Sequence, residues 1–571
     1  MIRNRSPLAA ATAVQLLIFV VLVSTARAQN VSQAPAPENP AAGAAPSGGG
    51  ELQQVVVTGY LIPRIGEGPQ PVTSYDQQYI KNTGYQNVTD VLQTLPSATG
   101  NYNPAVTSGF SFSPASASIA LKGLPPNDTL VLVDGLRMPS FPFPQQSTAG
   151  AFNFVDINSI PLAAIDRIEI LNDGGSATYG TDAVAGVVNL ILKDQYQGAD
   201  INNYYGISQR GDYEVYHGQF AVGIEQKIGH GGGSGGEPTG EGKEAPAPAS
   251  VTEFVPKIDV VAAFDFYDQS PVLAKNRAFT DENFSRLSFR YPDHGDFPTT
   301  TGLFIDNVTG AAFQTKQGFN GVSPTAADFT APYNTFTSAQ NGLQIYPRET
   351  RIGGVVKLTY DVTPWLKLYD SFLIDRNEEV SSYGPNQGIY PPPFNPGIIV
   401  PSFNPFNPTG HNLSVVDLAL NEFGVLNTDT TITTFRNVVG ATVQLPHSFY
   451  IDSNYLYGES DATETMKNMF TFSGMQAALN GTLPGNVGQF FNPFADEFLF
   501  APNQVFDRNK NLVGSIWEDI RSDISQFHTV VGTTDLFDLP SGSIGVAGGF
   551  EYRSEDYIQN DDQNSKTGNL T

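Results

Sequence analysis

The sequence predicts a membrane all-β fold: an antiparallel transmembrane β-barrel with a small mixed α/β domain on its N-terminal side. Three observations carry that expectation. Only 15% of the 571 residues are charged, while Gly (56), Phe (38) and Tyr (24) are abundant; ordinary soluble domains carry about a quarter charged residues. An export signal opens the chain and no later stretch is continuously apolar over helix-spanning length, which leaves strands to cross a bilayer. Segments of about ten residues with period-two alternation then recur through residues 196–571, as they do in strands with one face in lipid and the other in a lumen.

At the N-terminus, Arg3 and Arg5 precede the apolar run Leu8 to Val23, and Ala26-Arg27-Ala28 supplies a small-residue cleavage pattern. Residues 1–28 therefore read as a signal peptide. Residues 29–50 are mostly Ala, Pro and Gly, a disordered linker. Within 51–70, Val55-Val56-Val57-Thr58 breaks that texture. These β-branched residues suit an extended segment that adds to the sheet edge of another protein; a first strand of the following domain is the other reading.

Residues 71–195 read as a compact α/β unit. Tyr79, Ile80, Val88, Val91, Leu92 and Leu95 are spaced as in a helix over 76–95, interrupted by Gly84 and ended by Pro96. Thr129 to Val133 is a strand closed by the Asp134-Gly135 hairpin turn. Ile160 to Leu171 reads as a short helix running into a strand, and Val184 to Leu192 as another strand.

Beyond residue 195, Ile258, Val260, Ala262, Phe264 and Phe266 share one face, with Asp259, Val261, Ala263, Asp265 and Tyr267 opposite. Similar patterns fall at 213–224, 351–360, 431–445, 448–459 and 544–553, giving about nine strands. Tight turns at 361–364, 445–447 and 539–542 alternate with long loops at roughly 270–350, 378–430 and 460–525. The Gly-rich insert 229–250 falls on the short-turn side. Phe403-Asn404-Pro405-Phe406 and Phe491-Asn492-Pro493-Phe494 read as turns with aromatic anchors.

Several classes are disfavoured. A net charge of -26 argues against nucleic acid. With no cysteine there is no disulfide, thiolate nucleophile or Cys-ligated metal. The six histidines show no metal-ligand spacing, and Gly232-Gly233-Ser234-Gly235-Gly236 lies in a glycine tract rather than a nucleophile elbow. Neither an enzyme, a cofactor nor a metal site is expected.

The residues resemble a known family, the TonB-dependent outer-membrane receptors. Val55-Val56-Val57-Thr58-Gly59 looks like a TonB box. The runs 119–123 and 129–135, with Lys122, Gly123, Asp134 and Gly135, resemble the middle of the family's plug domain. The longest match, 165–171 continuing through 176–189, includes Arg167, Glu169, Tyr179, Gly180, Asp182, Gly186 and Asn189 and resembles the end of the plug. Two departures stand out: Lys122 where arginine is usual, and Asn172-Asp173-Gly174 in place of Arg-Gly-Pro.

The resemblance implies a barrel stoppered by residues 71–195, in the outer membrane of a Gram-negative cell and surrounded by its lipid. It implies import of a scarce solute: a ferric siderophore, an oligosaccharide, cobalamin or a peptide. Its partner would be the TonB protein with its inner-membrane energising complex. Plug-apex candidates for ligand contact are Phe110, Phe112, Phe141 and Phe143, with packing against the barrel wall as the alternative. Arg167 and Glu169 are candidates for charged contacts with the barrel interior, or an ordinary solvated pair. About nine strands against 22 in the plugged barrels predict that residues 196–571 are the N-terminal portion of a larger barrel. A surface β-protein or adhesin without transport is the competing class.

Overall fold

The computed structural model describes residues 55–56, 58–59, 64–65, 72–99, 113–147, 150–228, 254–277, 303–316, 323–330, 343–389, 397–494, 503–506, 509–539, 542–563 and 566. The signal peptide, the linker, Val57, Phe110, Phe112 and the Gly-rich insert lie outside the described residues.

The leading segment forms a two-residue strand, β1 (Val55–Val56), paired antiparallel with β2 (Arg64–Ile65). The α/β unit follows. It holds β3 (Val72–Asp76), α1 (Gln77–Thr83), α2 (Val88–Gln93), β4 (Thr129–Val133), β5 (Leu136–Arg137), β6 (Ile165–Leu171) and β7 (Gly186–Leu192). The sheet runs β3-β6-β7-β4-β5, with only β4 and β7 parallel.

The single helix expected over 76–95 is two. Gly84, at φ 71, caps α1, and the Asn87 side chain accepts from the Asp90 N–H to start α2. Each cap satisfies backbone groups that a continuous helix would have paired internally. The β4–β5 turn places Asp134 and Gly135 at φ 51 and 78, both left-handed, as a tight hairpin turn requires. At Gly186 a Cβ would lie 2.4 Å from the Leu171 carbonyl oxygen, so only glycine lets β7 approach β6 there.

Among the described residues nine long strands form an antiparallel meander, in line with the roughly nine read from the sequence. They are β8 (Gly198–Gly206), β9 (Val215–Lys227), β10 (Lys257–Gln269), β11 (Arg348–Thr363), β12 (Leu366–Ile389), β13 (Leu413–Gln444), β14 (Phe449–Phe470), β15 (Val513–Leu539) and β16 (Gly542–Asp561). Each pairs with the next. Among the described residues the sheet does not close, since β8 and β16 are not paired to each other.

On β10 the expected faces hold: Asp259, Val261, Ala263, Asp265, Tyr267 and Gln269 are buried, and Phe264 points outward, 47% exposed. The inner face grips the α/β unit. Ala221, Ala263, Val355 and Leu373 join the aliphatic core built on Val88, Leu92, Ile119, Ile168 and Leu190.

The strands outrun their expected lengths. Residues 378–389, 413–430, 460–470 and 513–525, expected in loops, are strand. Their outward positions are largely polar, as in Asn427, Asp429, Thr463 and Lys467, with Val380 and Trp517 as apolar exceptions. The apolar alternation that marks a strand in lipid therefore stops, while β-branched residues still favour extension.

The described parts of the outer loops are themselves packed. Phe304, Val400, Leu413, Phe470, Leu479, Phe491, Phe494 and Phe506 form a second core around α3 (Phe472–Leu479).

Candidate functional site

Glu169 on β6 and Asn189 on β7 are direct cross-strand partners. Both interrupt aliphatic runs and both are fully buried, so each must find hydrogen-bond partners or destabilise the unit by a few kcal/mol. The leading segment supplies them. The Thr58 hydroxyl donates to Glu169 Oε2 at 2.6 Å and accepts from Asn189 Nδ2 at 2.9 Å, while the Thr58 N–H donates to the same Oε2 at 3.1 Å. One residue on, the Gly59 N–H donates to the Tyr179 phenol oxygen at 3.0 Å. Burial pushes the Tyr179 phenol above its ordinary pKa, and the Gly59 N–H partly offsets that. Arg167 Nε completes the carboxylate from the other side, 2.9 Å from Glu169 Oε1.

The same chain of bonds leads to the wall. Asn189 Oδ1 accepts from the Gly135 N–H at 3.0 Å. Next to it, Asp134 Oδ2 lies 3.1 Å from Lys357 Nζ on β11, and Asp134 Oδ1 accepts from the Leu192 N–H at 2.9 Å. Arg436 on β13 donates to the Arg137 carbonyl at 2.8 Å and the Val133 carbonyl at 3.0 Å. It is one of the largest fully buried side chains, and a guanidinium on the inner face of a wall strand suits two convergent backbone carbonyls. A cavity of about 730 Å³ lies between this hairpin and the short-turn side of the wall, bordered by Tyr179, Lys357, Tyr369 and Asp452.

The sequence-derived residues thus divide. Thr58, Asp134, Gly135, Arg167, Glu169, Tyr179 and Asn189 come together in one polar seat. Asp182 sits beside it, 2.6 Å from Arg137. Lys122 and Gly123 form an exposed left-handed turn, at φ 58 and 71, and Gly180 (φ 91) ends the short helix carrying Tyr179. Val55 and Val56 lie in β1, just before the seat.

Phe141 and Phe143, considered for ligand stacking, are 2% and 3% exposed and pack with Phe154, Ile432, Ala462 and Ile520 against the wall. Arg167 pairs with Glu169 and Asp166 within the plug. Charged contacts between plug and wall include Asp134–Lys357, Arg553–Asp182 and Lys81, 2.5 Å from Asp200. Sequence reasoning missed Arg436 and Lys357; the one signal was a basic residue inside an otherwise apolar or threonine-rich strand. Among the described residues no group of three or more His, Asp or Glu side chains is placed to hold a metal ion.

A mixed α/β stopper seated on the inner face of an antiparallel meander defines a plugged-barrel architecture. Residues 64–187 match the family model described as TonB-dependent Receptor Plug Domain. Among solved structures, the chain is similar to the ferric enterobactin receptor PfeA of Pseudomonas aeruginosa at 11% identity and TM-score 0.38, with 87% of this chain covering 56% of that one. It is also similar to the siderophore receptor PiuA from Acinetobacter baumannii (11%, TM-score 0.36, 89% of this chain and 64% of that one). The ferric citrate transporter FecA matches at 11%, TM-score 0.34, 87% and 57%. The chain therefore spans 56–64% of the length of these structures. Within it, the match to the TonB-dependent receptor plug domain is confined to residues 64–187.

Proposed function

We propose that the chain binds a scarce extracellular solute at the outer membrane and imports it to the periplasm, using the proton gradient through TonB. The observation that carries this reading is the hydrogen bonding of Thr58. The segment resembling a TonB box ends in a residue buried between Glu169 and Asn189. Through Asn189 it is bonded to the hairpin that Arg436 and Lys357 hold. A partner strand added to residues 55–57 has a direct mechanical line to the plug core. Hydrogen bonds suit such a joint because they are lost over a short displacement, whereas an apolar seam resists along its whole area. The outward Phe264, Phe527, Phe550 and Tyr552, each at least 41% exposed, support contact with lipid.

The test is deletion of residues 55–58 in cells. Uptake of the solute is expected to stop while surface binding persists; retention of both shows that uptake does not run through this segment, leaves the chain a surface binder, and overturns the TonB-coupled import reading. A milder variant, Thr58→Val, removes the hydroxyl's bonds to Glu169 Oε2 and Asn189 Nδ2 while keeping the backbone N–H on Glu169, and is expected to weaken the seat by about 1–3 kcal/mol. Faster hydrogen exchange at residues 187–190 measures that effect.

A further inference from the structure

On the outer side of the plug a second cavity lies between α2, the loop before it, and strands β8 to β11. Its volume is about 360 Å³, inside the ~300–1,000 Å³ range of small-molecule sites. Five tyrosines line it: Tyr85 from the plug, and Tyr204, Tyr213, Tyr267 and Tyr346 from the wall and its outer loops. The Tyr213 and Tyr346 rings pack at 5.0 Å between centroids. Tyr213 is held at φ 54, a left-handed conformation that a bulky residue keeps only when its surroundings enforce it. The Tyr213 and Tyr267 hydroxyls both donate to Gln269 Oε1, at 3.2 and 2.8 Å, and the Gln269 amide donates to the Pro347 carbonyl at 3.0 Å. The ring framework is therefore fixed in advance.

Between the rings lie the Gln86 and Asn87 amides and the Asp90 and Glu349 carboxyls; no Lys, Arg or His is among the described residues lining the cavity. From Glu349 an inner-face row continues along hydrogen-bonded partners through Glu379, Thr430, Glu464, Glu518 and Asp561. Two basic groups stand just behind the lining, both engaged: Arg351 is 3.2 Å from Glu349 and lies over the Tyr267 ring, and His217 bonds Gln86 Oε1 at 3.1 Å and Asp265 Oδ1 at 2.7 Å. An anionic chelate entering here finds no Lys, Arg or His among the described lining residues to pair with. A cation finds carboxylates already engaged: Glu349 Oε1 accepts from Arg351 and Asn377. Burial pushes the Asp90 carboxyl above its ordinary pKa, weakening it as a counter-ion.

We propose that this cavity binds a neutral polyhydroxylated ligand, a mono- or oligosaccharide. Tyrosine faces stack on the sugar ring, and amides and carboxyls take its hydroxyls, which both donate and accept. The assignment rests on the import reading above and names its substrate class.

The test applies the full-length protein in detergent to an array of neutral and acidic oligosaccharides, with a ferric tris-catecholate and spermine as anionic and cationic probes. At least one neutral saccharide is expected to bind. Its affinity should hold between about 50 and 500 mM salt and fall at least about tenfold in Tyr346→Ala. Tyr346→Phe, which keeps the ring, should lose less and guards against misfolding. Capture of no neutral saccharide, capture of only the catecholate or spermine, or neutral binding indifferent to Tyr346→Ala and Tyr204→Ala each overturns the proposal. Deletion of residues 55–58 separates the two readings. If the saccharide still binds and its uptake is unchanged, the import reading fails while the substrate class stands. If the deletion stops uptake of an anionic chelate that saccharides do not compete with, the substrate class fails while import stands.

Discussion

The tetrapeptide Phe-Asn-Pro-Phe occurs twice in the outer loops, at 403–406 and 491–494, and its two copies meet different fates. In each, the asparagine Oδ1 accepts from the N–H two residues on, at 2.9 Å for Asn404 and 3.1 Å for Asn492. The local turn is thus the same. The aromatic anchors differ. Phe491 and Phe494 are fully buried, whereas Phe403 is 65% exposed. The first copy is also tied to the second, because Asn404 Nδ2 donates to the carbonyls of Leu479 and Phe491. Asn492 is held instead by paired bonds with Asn503. Local chemistry writes the turn; its place in the cap decides what each ring contributes.

That contrast can be broken most sharply at the buried rings. Phe494→Ala removes a ring packed against Phe304 and Phe329 and is expected to cost about 3–5 kcal/mol in the outer cap. Exchange of the α3 amides is the measurement, and a loss below about 1 kcal/mol contradicts the packing account. Next comes Asn404→Ala, which leaves two carbonyls and one N–H without their partner and should cost about 1–3 kcal/mol, read by the same amides. At the small end, Phe403→Ala should change stability by less than about 0.5 kcal/mol, despite occupying the same position of the motif as Phe491.

A third turn of the same kind sharpens the comparison by adding charge. Asp156 Oδ1 accepts from the N–H of Asn158, two residues on, at 3.1 Å, and from Ala117 at 2.9 Å. Burial pushes its carboxyl up to about 7, against the Ala117 and Asn158 bonds and the more distant Arg351, which pull it down. A carboxyl raised in the folded state contributes stability that is complete below its unfolded value and is lost as pH rises through about 7. The plug should therefore become easier to unfold between about pH 4 and pH 7, and Asp156→Asn should flatten that profile. An unchanged slope in the variant refutes the assignment to Asp156. The asparagine turns at 404 and 492 should show no such dependence.

Much of the architecture was legible along the chain. The Asp134-Gly135 hairpin, the strand ending at Leu192 and the alternation of Ile258 to Tyr267 are local patterns, and the structure keeps each of them. What misled was also local. The Gly84 break looked like a flaw in one helix when it is the cap between two, and the strand extensions looked like loops because their outward faces are largely polar, as at Asn427 and Asp429.

The sequence by itself determined which segments are extended, which turns they make and which face of each strand is apolar, because those follow from steric preference and period-two burial over a few residues. Only the tertiary structure decided that Thr58 lies between Glu169 and Asn189, residues 111 and 131 positions away. It alone brought Arg436 to the Val133 carbonyl across 303 positions. Such pairings depend on which buried polar group lacks a partner once the strands have packed, and no spacing along the chain encodes that.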